Sequence, residues 1–153
     1  MKRLTRRYLI HSLDNISVSA PIRYERYYIN DSLRIQKKNG KFELEVLDDE
    51  NVLIEKKEIS KEEFFHLKEE STCEIVRDSY LYLEDDRISI KKYYGIYEGL
   101  YRVEVKFLTP KEMNSYQKES WMLEEITNSP LAFDKDLRKL SKEEFIIELK
   151  KYR

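Results

Sequence analysis

Cysteine, glycine and proline are all scarce in this chain: of 153 residues, one is Cys, three are Gly and three are Pro. The single Cys73 excludes an internal disulfide framework and a cysteine-built zinc site. Two histidines, His11 and His66, lie far apart in sequence and read as structural or exposed rather than as a ligand cluster. No apolar run is long enough for a membrane-spanning helix. The first residues, Met1 to Arg7, are too polar for a secretory signal. Net charge is also small, at -1 from 29 basic and 30 acidic residues, so no global field draws the chain to nucleic acid or to a membrane. These absences together predict one cytoplasmic domain over residues 1–153, large enough for a real core, with no nucleic-acid or membrane partner. They leave the oligomeric state open.

Charge and tyrosine are what the chain has in plenty, with 39% charged residues and 12 Tyr. Few glycines and prolines favour long regular elements. Tyrosine suits half-buried strand positions, with its ring inside and its hydroxyl outside. The strand over Leu100 to Phe107 shows the pattern best: Tyr101, Val103, Val105 and Phe107 alternate with Arg102, Glu104 and Lys106. One face is apolar and the other carries a charged row of mixed sign, which needs partners wherever it is buried.

Seven further strands are expected, over Arg3 to Ile10, Arg23 to Ile29, Leu33 to Gln36, Phe42 to Val46, Asn51 to Ile59, Glu74 to Leu83 and Arg87 to Tyr93. Asn39-Gly40 is a two-residue hairpin signal. Helix starts are marked by Thr109-Pro110 with Glu112, by Ser60 with Glu63, and by Ser141 with Glu144. The last opens a helix over Lys142 to Tyr152 with Phe145, Leu149 and Tyr152 on one stripe. Trp121 reads as a core anchor. No internal repeat, low-complexity segment or linker interrupts the chain.

The order strand with Glu104, helix, Trp121, Glu125-Ile126-Thr127, then Pro130, Phe133 and Leu137 resembles the CYTH family, the triphosphate tunnel metalloenzymes. Leu33-Arg34-Ile35-Gln36 is similar to that family's Leu-Arg-Ile-Arg strand, and Gly95 to Leu100 to its hairpin into the central strand. The resemblance implies an α+β fold: an antiparallel closed β-barrel of about eight strands, spanning about 3–137, with flanking helices. It also implies a tunnel in which carboxylates hold divalent cations while arginines and lysines neutralise phosphate.

The chain departs from the pattern on the metal side. At the N-terminal signature of two glutamates and a lysine stand Arg3, Thr5 and Arg7, and at later acidic positions stand Ser89, Lys91 and Lys106. Glu104 and Glu125 remain as the candidate metal ligands. Arg7, Arg34, Arg77, Lys91, Arg102 and Lys106 are the candidate phosphate ligands, although Gln36, Leu47 and Ser79 replace basic residues of the family.

Glu43, Glu45 and Glu58 add acid on the inward parity. The exchange is compatible with a tunnel neutralised by its own salt bridges, or with a net-positive cavity that binds a nucleotide or polyphosphate. The expected function is therefore a tunnel protein with a degenerate metal site and no cofactor, binding a phosphorylated small molecule or polyphosphate without efficient hydrolysis. The alternatives are a divergent triphosphatase or adenylyl cyclase relative using Mg or Mn, and a non-catalytic scaffold.

Overall fold

The computed structural model describes residues 4–152; Arg3, at the first signature position, lies outside them. Eight strands form one antiparallel sheet: β1 (Thr5–Ile10), β2 (Ile22–Tyr28), β3 (Leu33–Lys38), β4 (Lys41–Leu47), β5 (Leu53–Glu58), β6 (Cys73–Leu81), β7 (Ile88–Tyr93) and β8 (Tyr101–Lys106). Their order across the sheet is β1-β8-β7-β6-β2-β3-β4-β5. Two meanders, β2 to β5 and β6 to β8, are joined through the β2–β6 pair, and β1 is added beside β8. The helices are α1 (Lys61–Lys68), α2 (Pro110–Ser115), α3 (Asp134–Leu137) and α4 (Lys142–Lys150).

Local chemistry accounts for the punctuation. Asn39 and Gly40 both have positive φ, 51° and 74°, as a two-residue hairpin of the favoured twist requires. Thr109 caps α2 by accepting from the Glu112 amide, with Pro110 in its first turn. Ser141 and Glu144 form a complete capping box, whereas at α1 only the Ser60 half is made. α4 ends at Lys150, two residues before the expected Tyr152.

Alternation along the strands sorts side chains into two faces. On one face Tyr8, Ile88, Ile90, Val103 and Val105 form an apolar cluster, against which Met113, Tyr116 and Trp121 from α2 and its following loop are packed. The Trp121 ring lies 5.0 Å from that of Tyr82, so it anchors this layer. Further along, Tyr27, Ile35 and Phe64 are buried together where α1 covers β2, β3 and β4. The other face is concave and polar. One end of it is closed by a third cluster, in which Leu131, Leu137, Phe145 and Leu149 meet Leu9, Tyr28 and Tyr93.

The expected barrel is not closed by hydrogen bonds. No ladder joins β1 to β5 among the described residues. Instead, the outer edge of β1 is taken by the segment after Trp121: the Leu9 amide donates to the Glu124 carbonyl, and the Leu123 and Ile126 amides donate to the carbonyls of Leu9 and Arg7. Those backbone groups are no longer available to a strand. β5 stays an exposed edge, with Lys56 and Lys57 as charged side chains of the kind that discourage edge pairing.

Candidate functional site

Each pairing register places a charged inner residue beside a charged or polar one from the next strand. Arg7 lies opposite Glu104, which lies opposite Ser89; Arg102 lies opposite Lys91, which lies opposite Ser79. Arg77 lies opposite Tyr24, Arg26 opposite Gln36, and Arg34 opposite Glu45. Together these rows enclose a cavity of about 160 Å³. Its wall includes Arg7, Arg26, Arg34, Arg77, Lys91, Arg102 and Lys106, with Glu104 and Asp134 as the carboxylates. All six candidate phosphate ligands are thus on one wall. Lys106 is exposed at the mouth, while Arg102 is only 2% exposed.

Glu104 is held from two sides: Arg102 Nη2 lies 3.0 Å from its Oε2 and Arg7 Nη1 lies 3.6 Å away. Burial alone would raise its pKa. Arg7, Lys91, Arg102 and Arg77 outweigh burial and hold the carboxyl well below its ordinary value. Arg34 Nε donates to Glu45 at 2.7 Å and its Nη1 to the Tyr28 hydroxyl, so Glu45 also stays ionised below its usual range despite its burial. Gln36 accepts from Arg26 and donates to Glu43. Glu58 is exposed on the outer strand.

Lys91 is the exception among the cations. Its Nζ donates to the hydroxyls of Ser79 and Ser89, at 2.9 and 3.0 Å. Burial lowers its pKa to about 7; Glu104 opposes that shift, and Arg77, Arg102 and Arg26 reinforce it. The site therefore contains one lysine that changes charge near neutrality.

Glu104 and Glu125 are not brought together. Glu125 lies on the far side of β1, where Arg6 grips it in a bidentate pair at 3.0 and 2.7 Å, and the hydrogen bond from Arg6 keeps its pKa low. It lines a broader cleft of about 650 Å³, with Thr5, Met113 and Asn114. This cleft shares only Asn51 and Phe133 with the cationic cavity. The cleft is the larger of the two, but the buried charged side chains line the smaller cavity.

Two charged residues of the cavity wall, Arg26 and Asp134, are not among those the sequence singles out. Arg26 shares the parity of Tyr24 and Tyr28, so alternation could have found it. Asp134 lies outside any strand, in the first turn of α3, and no periodicity marks it. Its carboxylate reaches back into the cavity: Oδ2 accepts from Arg26 Nη1 at 2.8 Å and Arg77 Nε at 3.1 Å, and Oδ1 from the Tyr93 hydroxyl at 2.5 Å and Arg102 Nη2 at 3.2 Å. Burial would raise its pKa, but Arg77, Arg102 and Arg26 hold it well below its ordinary value. Phe133, beside it, stacks under the Arg7 guanidinium at 4.0 Å.

Among solved structures, this architecture is similar to that of the inorganic triphosphatase NE1496, with a TM-score of 0.69, 17% identity, and coverage of 92% of this chain and 97% of that one. A second structure, described as the hypothetical protein NE1496, gives a TM-score of 0.68 at 18% identity, covering 90% of this chain and 97% of that one. The fold is CYTH-like. At this identity the likeness concerns the fold alone. No family model matches the chain, and no curated protein matches it. Within the triphosphate-tunnel fold, the eight strands, the flanking helices and the concave charged face correspond to what the sequence predicts. No helix among the described residues is long and apolar enough to cross a membrane.

Proposed function

We propose that the protein binds a phosphorylated ligand, a polyphosphate or the phosphate chain of a nucleotide, in the cationic cavity, using its own side chains in place of a metal and without efficient hydrolysis. The observation that carries this reading is charge imbalance. Six arginine and lysine side chains, and Lys91, which changes charge near neutrality, face two carboxylates around about 160 Å³, and counting Glu45 behind Arg34 adds only a third. In addition, Nη1 of the buried Arg77 has no hydrogen-bond partner among the described residues. A buried donor left unmade is costly, and phosphate oxygens are strong acceptors for guanidinium groups. The structural neighbour's description as an inorganic triphosphatase agrees with such a ligand.

The donor set does not suit Mg or Mn, each of which takes several oxygen ligands. No group of three or more His, Cys, Asp or Glu side chains converges among the described residues. Glu104 stands between Arg7 and Arg102, and bringing a divalent cation there sets like charges against each other. Nor is Glu104 suited to activate water, since a carboxylate held well below its ordinary pKa is a weak base.

A second reading, the fold kept as a scaffold, rests on the ion pairs that already line the concave face. Calorimetric titration of tripolyphosphate in EDTA separates the two. Binding that weakens in Arg77→Gln supports the ligand reading, and no heat of binding supports the scaffold. Binding that requires Mg or Mn and releases phosphate revives the enzyme.

A further inference from the structure

Asp134 is 4% exposed, and its two oxygens accept from donors on four strands: Arg26 on β2, Arg77 on β6, Tyr93 on β7 and Arg102 on β8. A carboxylate within three guanidinium groups and a phenol occupies what is otherwise an oxyanion position. It arrives from a four-residue helix outside the sheet, so its withdrawal breaks no strand ladder. With Asp134 in place, Arg77 Nη1 has no hydrogen-bond partner among the described residues, and Lys91, held by two serine hydroxyls, and exposed Lys106 also line the cavity. That space, about 160 Å³, is small beside the ~300–1,000 Å³ of pockets for drug-sized ligands.

We infer that Asp134 determines which anions the cavity accepts: its carboxylate stands where a second phosphate group would sit, so a single phosphate binds beside it and an extended chain binds only when the Asp134 segment moves out. The inference rests on the proposed anion binding and adds a length preference to it. Apparent affinity for the longer anion is then reduced by the fraction of molecules with the cradle vacated.

The test is calorimetric titration of orthophosphate and of tripolyphosphate, in EDTA, into the unaltered protein, Asp134→Asn and Glu104→Gln. Asp134→Asn weakens the hold of the three guanidinium groups on this segment, whereas Glu104→Gln removes the same charge while the Asp134 carboxylate stays held, and so measures the effect of charge alone. In Asp134→Asn, tripolyphosphate affinity rises about tenfold or more while orthophosphate stays within about threefold, as expected if the competing state is over ~90% populated. Equal changes for both anions, or a profile matching Glu104→Gln, overturn the length preference and leave anion binding standing. No binding of either anion to any of the three proteins overturns both.

Hydrogen exchange on the unaltered protein gives an answer even where Asp134→Asn fails to fold. The amides of Leu137 and Arg138, which donate to the carbonyls of Phe133 and Asp134, exchange faster under saturating tripolyphosphate than under orthophosphate. Equal or greater protection under tripolyphosphate contradicts the inference.

Discussion

Arg77 faces two ways: its Nε donates to Asp134 Oδ2 at 3.1 Å, while its Nη1 is buried without a partner among the described residues. One guanidinium thus holds an internal carboxylate with one nitrogen and leaves another without an acceptor among the described residues. The same tension runs through the cavity, where internal acids neutralise part of the basic wall and leave an excess of cations. Whether that excess is a binding site can be tested residue by residue.

Lys106 is exposed at the cavity mouth, so its removal has little to do with folding. Lys106→Ala is expected to change unfolding free energy by less than ~0.5 kcal/mol. Tripolyphosphate affinity falls about threefold at low salt and by less at high salt, because an exposed charge is screened. Denaturant melts and titrations at two salt concentrations check both parts.

Lys91 should take up a proton when an anion binds. Burial sets its pKa near 7, far below the ordinary 10.5, so at pH 8 it is mostly neutral in the free protein. A phosphate group beside it favours the charged form. Titration at pH 8 in buffers of different ionisation enthalpy is expected to show uptake approaching about one proton, absent in Lys91→Met. The free protein has a matching signature. Between pH 7 and 10.5 the unfolded chain binds the extra proton, so Lys91 makes stability rise with pH across that window.

Acid should weaken the fold through Asp134 and Glu104. Both are held well below their ordinary values of 3.8 and 4.5, so their contribution is fully present above those values and is lost as pH falls through the depressed folded values. Thermal melts from pH 7 down to 3 are expected to show a falling midpoint, with a shallower decline in Asp134→Asn. At neutral pH that variant is itself weaker by about 3–5 kcal/mol, because breaking a buried pair leaves uncompensated charge.

Phe64 tests the packing independently of the site. It is 2% exposed on the sheet-facing side of α1, with its ring 4.7 Å from Phe42 and 5.8 Å from Tyr27. Phe64→Ala is expected to cost about 3–5 kcal/mol in chemical denaturation without altering anion affinity in the protein that remains folded.

Strand parity made the cavity wall legible. Arg102, Glu104 and Lys106 alternate with Tyr101, Val103 and Val105, and one buried face then assigns the rest by register. Parity stops being informative where the chain leaves the strands. Glu125 sits in a segment that joins the edge of β1 through a few backbone hydrogen bonds, and its side chain turns to Arg6 rather than to Glu104. Asp134 reaches its four donors from a short helix whose position is set by the packing of Leu131 and Leu137, which no local pattern announces. The closed barrel that the resemblance implies is not completed by a β1–β5 ladder for a related reason: no local pattern reveals that another segment takes the outer edge of β1.

On the proposed function, the excess positive charge of this cavity is a metal-free anion site. Calorimetric titration of tripolyphosphate into the unaltered protein in EDTA, with Mg added afterwards, tests it most directly. Binding in EDTA that weakens in Arg77→Gln and does not tighten with Mg is the expected result. Binding seen only with Mg, accompanied by phosphate release, would contradict it.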